Sequence, residues 1–579
     1  MFKTLFPYLG EYKKASVLAP VFISLEVIVE VIVPFVTAAI IDEGIEGENM
    51  NKVLMYGAIM LVLAFAGLLF GFLAGKNAAN AATGFAANIR RGIFSKVQTF
   101  SFSNIDKFST AGLVTRMTTD ITNLQMAYQM IIRDAVRCPL MFLCSLIMCL
   151  VINPRMGLIF LAAMVVLAAA LIAIMLKSMP IFNEMFDRYD DLNASIQENV
   201  SGIRVIKAYV REDRETEKFS NASKRLYNMG VRAESLLAFN NPIMLLVVYA
   251  CIIALSWFGA HFIVIGTMTT GNLTSLFSYV MSMLMSLMIL SMVFVMISMS
   301  MASVRRISEV LTEEPDITDP DEPVCEVASG QIDFNNVTFR YKEGGETVLE
   351  NIDLHIQSGE TIGVIGGTGS GKSSFANLIS RLYDASEGSV FVGGRDVRDY
   401  DMEVLRNEVA VVLQNNVLFS GTILDNLRWG DENATLEECM QACREACADE
   451  FIDRLPDGYN TWIEQGGTNV SGGQKQRLCI ARALLKHPKV LILDDSTSAV
   501  DTATDAKIRK AFAEHIPGTT KIIISQRISS IEDADRILVL DDGKINGFDT
   551  HEELMKNNVI YREIFEVQSS AGGDFDIEG

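Results

Sequence analysis

The sequence of 579 residues lacks three features that would each have indicated a class of protein. None of its nine cysteines forms a CxxC pair, the spacing that is typical of zinc and dithiol sites. It has no excess of basic residues, and a formal net charge of −21 argues against nucleic acid as a partner. The first residues, MFKTLFPYLGEYKK, lack the apolar core and cleavage site of a signal peptide and predict a short amphipathic helix at a membrane surface.

The acidic excess is confined to the second half of the chain. Residues 1–320 hold 25 Lys and Arg against 25 Asp and Glu, whereas residues 321–579 hold 24 against 45. This division predicts a main boundary near residue 320 and an acidic, soluble C-terminal domain. Within that domain Cys439, Cys443 and Cys447 lie four residues apart. We expect half-buried thiols in a reducing compartment there, because a metal site would need converging ligands.

Six apolar stretches in the first half are each about the 20 residues that a helix needs to cross a bilayer. They lie near 17–41, 53–75, 138–153, 156–177, 243–265 and 273–299. The segments between them hold apolar positions at helical spacing, so we expect helices to continue beyond the bilayer. Residues 76–137 carry eight Lys and Arg and residues 178–242 carry nine. The positive-inside rule therefore predicts that both termini and the C-terminal domain are cytoplasmic, in a multi-pass protein of the plasma membrane.

Two features inside the spans leave alternatives open. Glu26 and Glu30 lie one helical turn apart in the first span, where acids either line the water-filled side of a bundle or handle substrate or protons. The sixth span is rich in methionine, which suits either a wall that adapts to apolar ligands or the filling of core gaps. Its methionines are Met281, Met283, Met285, Met288, Met292, Met296 and Met299.

The second half contains the sequence of a phosphate-binding loop. Residues 360–379, ETIGVIGGTGSGKSSFANLI, predict a strand, a glycine loop and a helix with G-x-x-x-x-G-K-S from Gly366 to Ser373. In such a loop Lys372 reaches the β- and γ-phosphates and Ser373 binds Mg²⁺. The strand VLILDD places Asp494 where it can hold that magnesium through water. The sequence therefore predicts a P-loop NTPase.

A second glycine motif opens another helix in residues 468–485, TNVSGGQKQRLCIARALL. The motif consists of Ser471, Gly472, Gly473 and Gln474. These residues offer an anion site at the start of a helix, but the loop has no lysine that would complete a phosphate-binding cradle by itself. We expect this segment to act as a lid over nucleotide that is bound by another subunit.

With these motifs the chain resembles an ATP-binding cassette (ABC) exporter half-transporter over almost its whole length. The resemblance implies ATP and Mg²⁺ as cofactors and a signature motif VSGGQ at 470–474. It also implies two coupling helices, one near Ser101–Thr110 and one near Lys207–Glu215, the second at the end of the intracellular segment 198–213. It implies Tyr341 as the aromatic that stacks on adenine, Gln414 as a glutamine that contacts Mg²⁺, Glu464 as a contact to the coupling helices, and Ser498–Asp501 as the D-loop. The implied phosphate loop comprises Gly366, Gly367, Thr368, Gly369, Ser370, Gly371, Lys372, Ser373 and Ser374.

Two positions depart from the family pattern, and both concern hydrolysis. The catalytic base position holds Asp495 in place of glutamate, and the position before Arg527 holds Gln526 in place of histidine. Aspartate is shorter by one methylene, and a positioning error of about 1 Å can cost on the order of 100-fold in rate. Glutamine cannot place a positive charge near the phosphates. The sequence therefore predicts a degenerate site that binds ATP and hydrolyses it poorly.

The fold class expected is an α-helical six-span membrane domain with long cytoplasmic helix extensions, followed by an α/β P-loop nucleotide-binding domain. The expected boundaries are 1–310 for the membrane domain, 311–330 for a linker, 331–568 for the nucleotide-binding domain and 569–579 for a disordered acidic tail. We expect a heterodimer with a homologous chain that supplies Glu and His, moving a small hydrophobic or amphipathic substrate outward through the bilayer. Open alternatives are a homodimeric slow exporter, an importer of exporter fold, and an ATP-gated regulatory or channel-like protein.

Overall fold

The computed structural model describes residues 2–342, 344–496 and 500–570. The chain forms two compact units, one of Met1–Gln98 with Thr110–Glu313 and one of Thr99–Ser109 with Glu314–Gly579. Ser498 of the expected D-loop and residues 571–579 of the expected tail lie outside the described residues.

The described part of the first unit is built from helices, and six of these are long and apolar enough to cross a membrane. The expected six-span domain is thus confirmed in its helices. The helices are α1 (Phe2–Leu5), α2 (Lys13–Ala39), α3 (Met50–Gln98), α5 (Thr110–Thr115), α6 (Ile121–Ile152), α7 (Pro154–Ser201), α8 (Ile203–Ala208), α9 (Glu212–Ala238), α10 (Asn240–Val264) and α11 (Thr270–Thr312), with α4 (Phe102–Phe108) belonging to the second unit.

Several helices are much longer than a bilayer crossing, as the sequence predicts. The longest helix, α3, has 49 residues, α7 has 48 and α11 has 43, against about 20 for a bilayer crossing. A short turn separates α6 from α7, where the Asn153 side chain caps the backbone N–H groups of Arg155 and Met156 and Pro154 occupies the first helical position. Gly84 of α3 lets the N-terminal segment approach, because a Cβ there would lie 2.4 Å from the Tyr12 ring.

The apolar core of the first unit joins α2, α6, α7, α10 and α11. Inside it, the buried Tyr279 of α11 donates its hydroxyl to the Val31 carbonyl of α2 at 2.7 Å. Farther along, α11 is tied by a buried acid to the π-helical turn Arg116–Asp120, which leads into α6. Asp120 is fully buried and accepts hydrogen bonds from Ser303, at 2.8 Å, and from two guanidinium nitrogens of Arg306. An ion pair with a bidentate guanidinium fixes both distance and orientation between two helices.

The second unit is an α/β domain around a six-stranded sheet in the order β12-β11-β3-β10-β9-β6, with a four-stranded antiparallel sheet β2-β1-β4-β5 and the pair β7-β8. The strands are β1 (Ile332–Phe339), β2 (Leu349–Ile356), β3 (Thr361–Gly366), β4 (Glu387–Val392), β5 (Arg395–Asp396), β6 (Val409–Val412), β7 (Gly421–Thr422), β8 (Trp462–Ile463), β9 (Val490–Asp494), β10 (Thr520–Ile524), β11 (Arg536–Asp541) and β12 (Lys544–Asp549).

Helices cover this sheet, and its central strands are buried throughout. Both β9 and β10 are buried at every position, as parallel strands between helix layers are. The helices are α12 (Lys372–Ile379), α13 (Met402–Glu408), α14 (Ile423–Leu427), α15 (Leu436–Glu445), α16 (Asp449–Ile452), α17 (Gly472–Leu484), α18 (Thr502–His515), α19 (His551–Asn557) and α20 (Val559–Ser570).

The parallel register brings four chain segments to one edge of the sheet. Ile524 of β10 pairs with Asp494 of β9 and with Val364 of β3, and Val412 of β6 pairs with Leu493 of β9. The loops that follow these four strands therefore meet at the carboxyl edge, which is where open α/β sheets bind ligands.

The Asp120 cluster generates a stability prediction. Replacing Asp120 with Asn removes a buried carboxylate that accepts hydrogen bonds from Ser303 and Arg306, and we expect a loss of about 2 kcal/mol in the free energy of unfolding. This is less than the roughly 3–5 kcal/mol of a fully buried pair, because the Arg306 side chain is 43% exposed. The thermal unfolding midpoint of the purified protein in detergent measures it. The matched control is Glu309→Gln, which removes a more exposed pair with Arg116 and should change stability by less than about 1 kcal/mol. Equal shifts for the two variants would contradict this role for Asp120.

Candidate functional site

The loop between β3 and α12 has the backbone geometry of a phosphate cradle. Gly369 and Gly371 adopt φ values of 84° and 94°, which L-residues with side chains rarely adopt. A Cβ at Gly371 would also lie 2.6 Å from a methyl group of Leu349. The Lys372 ammonium donates to the carbonyls of Gly366 at 2.9 Å and Gly367 at 2.7 Å. The loop therefore closes around its own lysine, with backbone N–H groups at the start of α12 available to an anion.

A buried carboxylate lies beside this loop at the end of β9. Asp494 is 6% exposed, and burial is the main reason that its pKa is raised, while a hydrogen bond from Ser373 and the charge of Lys372 act in the opposite direction. Burial likewise lowers the pKa of Lys372, against the attraction of Asp494 and Asp495. Ser373, Lys372 and Asp494 thus form one partly desolvated group of a hydroxyl, a cation and an acid.

Asp495 is the next residue and lies at the meeting point of three loops. Its backbone leaves the strand with φ of 47°, in the left-handed region where Asp is enriched among residues other than glycine. Its Oδ2 accepts a hydrogen bond from the Gln414 amide at 3.4 Å and from the Gln526 amide at 3.2 Å. The structure thus brings together three residues that the sequence identified separately, from the loops after β6, β9 and β10.

Tyr341, the expected base-stacking residue, follows β1 and lies over the start of α12. Its hydroxyl and that of Ser374 are hydrogen-bonded to each other at 2.7 Å. The ring packs edge-on against Phe339 and Tyr383, at centroid distances of 4.8 and 5.1 Å, and the residue is 44% exposed. The aromatic ring is therefore held beside the phosphate loop while part of it remains accessible.

The second glycine motif forms an exposed helix start. Ser471 caps α17, its hydroxyl accepting from the Gln474 backbone N–H at 3.3 Å, while the Gln474 side chain accepts from the Ser471 N–H at 2.9 Å. This reciprocal capping fixes the turn that holds Gly472 and Gly473 and presents it to solvent. Such a turn can bind an anion that is brought by another chain.

Two other expected site residues, Asp501 and Glu464, accept side-chain hydrogen bonds from residues close to them in the chain. Asp501 caps α18, and the Thr504 hydroxyl and backbone N–H, which donate to it, lower its pKa. Glu464 accepts a hydrogen bond from the Thr468 hydroxyl at 3.0 Å. The cysteine stripe is more buried than the half-buried expectation: Cys443 is fully buried, and burial raises its pKa to about 12. No group of three or more His, Cys, Asp and Glu side chains that could hold a metal ion occurs among the described residues.

In the membrane unit the two acids of α2 share one basic partner. Arg137 of α6 donates one nitrogen to Glu26 at 2.8 Å and another to Glu30 at 2.7 Å. The second oxygen of Glu26 is buried without a hydrogen-bond partner, and a Cβ at Gly71 of α3 would lie 3.3 Å from the Glu26 carboxyl group. Paired acids of this kind fasten α2 to α6 and leave one excess negative charge on the three side chains.

Among the methionines of α11 whose side chains the structure describes, some are buried and some exposed; Met296 is half-buried, and the Met299 side chain lies outside what is described. Met283 is 1% exposed and fills the core, as one of the two interpretations predicts. Met281, Met285, Met288 and Met292 are 51%, 58%, 39% and 64% exposed in the single chain. Their spacing of three and four residues places them on one face of the helix, so these four do not fill the core of this chain.

Sequence reasoning missed Arg137, Tyr383 and Asp106. Arg137 was assigned to the basic segment 76–137, but it lies inside a helix opposite the only two charged residues of the first span. The requirement that a buried acid has a cationic partner was the available signal. Tyr383 contacts Asp106 across 277 residues, and the sequence holds no pattern that indicates such a pairing.

Comparisons with known proteins agree with this architecture. The family model described as ABC transporter transmembrane region matches residues 17–311, and the model described as ABC transporter matches residues 349–498. The structure is also similar to that of a bacterial Atm1-family ABC exporter with ATP bound, with a TM-score of 0.82 over 98% of this chain and 100% of that one. At 23% identity this likeness concerns the fold alone.

Curated relatives are similar over nearly their whole length. The uncharacterized ABC transporter ATP-binding protein YfiB of Bacillus subtilis is 35% identical over 566 residues, 98% of each chain. A protein of the same description from Mycobacterium tuberculosis, Rv1273c, is 34% identical over 93% of each. YfiC, also of Bacillus subtilis, is 30% identical over 98% of this chain and 94% of its own.

The phosphate loop generates a prediction about nucleotide binding. Replacing Lys372 with Met removes the cation of the loop, and we expect ATP affinity to fall by on the order of 100-fold, since hydrogen bonds to charged groups contribute about 1.5–3 kcal/mol each. Binding of a fluorescent ATP analogue to the detergent-solubilised protein measures it. Lys521→Met is the control, because Lys521 is also a buried lysine whose pKa burial lowers. Similar losses of affinity in both variants would show that the effect comes from folding and not from the loop.

The Arg137 triad generates a second prediction. Arg137→Met leaves two acids at membrane depth without their cation, and we expect the melting temperature in detergent to fall by several degrees, corresponding to about 3 kcal/mol. Adding Glu26→Gln and Glu30→Gln to that variant should recover most of the loss. Arg133→Met is the control, since Arg133 is 43% exposed and lies 4.0 Å from its partner Asp134. A triple variant no more stable than Arg137→Met alone would contradict the pairing.

Proposed function

The chain belongs to the ABC transporter family, and on that premise we propose that it is one half of a heterodimeric exporter, with a P-loop that holds ATP and a signature motif that completes the partner's site. Members of the family couple ATP hydrolysis to transport, and ABC exporters act as dimers in a lipid bilayer. This chain has one membrane unit and one ATPase unit, so it is a half-unit. The proposal concerns which site hydrolyses ATP and what the second half is.

The residues present fit ATP and Mg²⁺. The glycine loop after β3 offers inward backbone N–H groups and Lys372 for phosphate, and Tyr341 offers an accessible ring for a base. The Ser373 hydroxyl, the Asp494 carboxylate and the Gln414 amide are oxygen donors of the type that Mg²⁺ prefers. When bound, the metal would neutralise phosphate charge, while Lys372 orients the phosphates and Tyr341 the base.

The observation that carries the degenerate-site proposal is the environment of Asp495. Its Oδ2 accepts from two amide donors, Gln414 and Gln526, so the carboxylate is oriented by contacts between loops. The backbone at φ of 47° fixes where the short side chain starts. A carboxylate drawn back by about 1 Å loses on the order of 100-fold in rate. We therefore assign Asp495 to holding this loop cluster together.

Gln526 is a second reason to expect slow hydrolysis at this P-loop. Its amide donates to Asp495 at 3.2 Å, and its backbone carbonyl accepts from the Gln568 side chain at 2.7 Å. A neutral amide adds no positive charge where charge develops on the transferred phosphate. Binding groups are thus retained at this P-loop, whereas both groups that assist hydrolysis are weakened.

The signature motif is intact and supports a partner of the opposite kind. The Ser471–Gln474 cap is formed and exposed, so it can close over nucleotide held by a second chain. That chain would carry Glu and His at the two positions where this one has Asp495 and Gln526. Bacillus subtilis encodes at least two chains related to this one, at 35% and 30% identity, so related half-units coexist in one organism.

Two exposed apolar features support a second chain. The turn between α8 and α9 exposes Tyr209 and Val210 at 74% and 79%, and Val210 holds a strained φ of 51° that is unusual for a β-branched residue. The ATPase unit has a groove of about 340 Å³ beside β6 whose lining includes Phe419 and Trp429. We propose that the turn of each chain docks in such a groove of its partner.

The substrate we propose is small and hydrophobic or amphipathic, moved outward across the plasma membrane with both termini cytoplasmic. The exposed face of Met281, Met285, Met288 and Met292 supports this, because flexible thioether side chains adapt to varied apolar ligands. The Arg137 triad offers charged groups in the same unit for an amphipathic ligand.

The test compares hydrolysis with and without repair of the two positions. The chain purified alone should hydrolyse ATP at a rate on the order of 100-fold below the complex that co-purifies with a tagged chain. In the chain alone, the double substitution Asp495→Glu and Gln526→His should recover most of that difference. Adding Asp494→Asn to the double variant is the control and should remove the gain.

In the complex the expected pattern is asymmetric. Ser471→Ala in this chain should sharply lower hydrolysis, whereas Asp495→Ala should change it by less than about threefold while ATP binding persists. A chain that is fully active alone would favour the homodimeric exporter. Loss of activity on Asp495→Ala with tolerance of Ser471→Ala would contradict the proposed division of labour. Transport in inside-out against right-side-out vesicles determines the direction.

A further inference from the structure

A continuous series of contacts runs from the phosphate-loop helix to α4. The hydroxyls of Ser374 and Tyr341 are hydrogen-bonded at 2.7 Å, and the Tyr341 ring stands at 90° to the Tyr383 ring with centroids 5.1 Å apart. The Tyr383 hydroxyl then donates to Asp106 of α4 at 2.7 Å. Each contact is a hydrogen bond or an edge-to-face ring pair, and both have directional geometry.

Tyr383 is held in place by the segment around it. The preceding Arg381 is 5% exposed, adopts φ of 50°, and donates to the carbonyl of Thr318 at 3.2 Å and to Asp384 at 3.1 Å. The Phe339 ring contacts Tyr383 from β1, with centroids 5.7 Å apart. A side chain fixed on several sides transmits a displacement of one neighbour to the next.

At the other end, α4 is fastened to the segment that follows α11. Ser101 caps α4, and the hydroxyls of Ser101 and Ser103 both donate to Asp316. Asn104 donates to the Glu314 carbonyl at 3.3 Å. Burial alone would raise the pKa of Asp316, but the hydrogen bonds from these serines together lower it. Asp106 and Phe102 therefore form the side of α4 that contacts Tyr383, and the serines form the side that contacts the chain just beyond α11.

We propose that Tyr383 is a positioning residue that transmits the seating of a purine base on Tyr341 to α4, so that the base of the nucleotide, and not its phosphates alone, sets the position of this helix. The inference rests on the proposed ATP site and adds a specificity to it. A base stacked on the exposed part of Tyr341 fixes the plane of that ring. Because the Tyr383 ring packs edge-on against the Tyr341 ring, a shift of Tyr341 also moves the Tyr383 hydroxyl. This movement changes the hydrogen bond from Tyr383 to Asp106.

The consequence is a difference between ligands that share the phosphates. Inorganic tripolyphosphate contacts the glycine loop and Lys372 but offers no ring to Tyr341. It should occupy the P-loop without changing α4, whereas ATP should change both. Phosphate binding at the P-loop can then occur without movement of α4, because that movement requires a base to contact Tyr341 and Tyr341 to contact Tyr383.

Hydrogen exchange of the full-length protein in lipid nanodiscs tests this, by comparing a peptide spanning 366–374 with one spanning 101–110. Saturating Mg²⁺ with ATP or with tripolyphosphate should protect the first peptide in both cases. ATP alone should change exchange in the second. In Tyr383→Phe, which keeps the ring and loses the hydroxyl, α4 should exchange about tenfold faster, since a hydrogen bond to a charged acceptor shifts an opening equilibrium by that order. In Tyr383→Leu the response of α4 to ATP should disappear while the P-loop remains protected.

Tyr400→Phe is the matched control. Tyr400 is a fully buried tyrosine of the same unit whose hydroxyl donates to the Val392 carbonyl at 2.8 Å, so it loses a comparable hydrogen bond away from α4 and should respond as the wild type does. An α4 response to tripolyphosphate equal to that to ATP, or an unchanged response in Tyr383→Leu, overturns the inference. Failure of ATP to protect 366–374 in the wild-type protein instead overturns the proposed ATP site, and the relay with it.

Discussion

The carboxyl edge of one parallel sheet is the constraint on which the ATPase unit depends. Because β3, β10, β9 and β6 run in register, the phosphate loop, Asp494, Asp495, Gln414 and Gln526 have to meet there. Burial at that edge disfavours the charged form of each group, which is why the pKa of Lys372 is lowered and that of Asp494 is raised, against the attraction between the two charges. Lengthening or shortening one side chain at this edge therefore changes chemistry without changing the fold.

At Asp495 a local backbone conformation and the proposed loss of hydrolysis have one origin. The residue turns the chain out of β9 through the left-handed region, which aspartate tolerates better than longer or branched side chains. Its carboxylate then bridges two loops through Gln414 and Gln526. On the proposed function, the contacts that hold the edge together also keep this carboxylate from activating water. Such a half-site would retain ATP and would depend on a second chain for turnover.

Much of this architecture could be predicted, and the limits have physical reasons. Apolar length predicted six spans, and the glycine and carboxylate motifs predicted which strand ends would meet, because both depend on local pattern. The Arg137 triad was missed because Arg137, one residue before the predicted span 138–153, was counted only toward the charge of segment 76–137 and was not considered as a partner of the two acids. The sequence predicted half-buried cysteines, but Cys443 is fully buried. Periodicity shows which residues share a helix face, but it does not show how deeply that face is buried. The Tyr383–Asp106 contact joins residues 277 apart, and a single sequence gives no information on such pairs.

The most direct test of the central claim is to count nucleotides in the assembled transporter. The heterodimer is loaded with radiolabelled ATP and Mg²⁺, separated from free nucleotide after one turnover, and the bound label is analysed as ATP or ADP. We expect each assembly to retain one ATP, photocrosslinked to the P-loop of this chain, and to hold the hydrolysed nucleotide at the P-loop of the partner. Equal conversion of both bound nucleotides to ADP in a single turnover would contradict this claim.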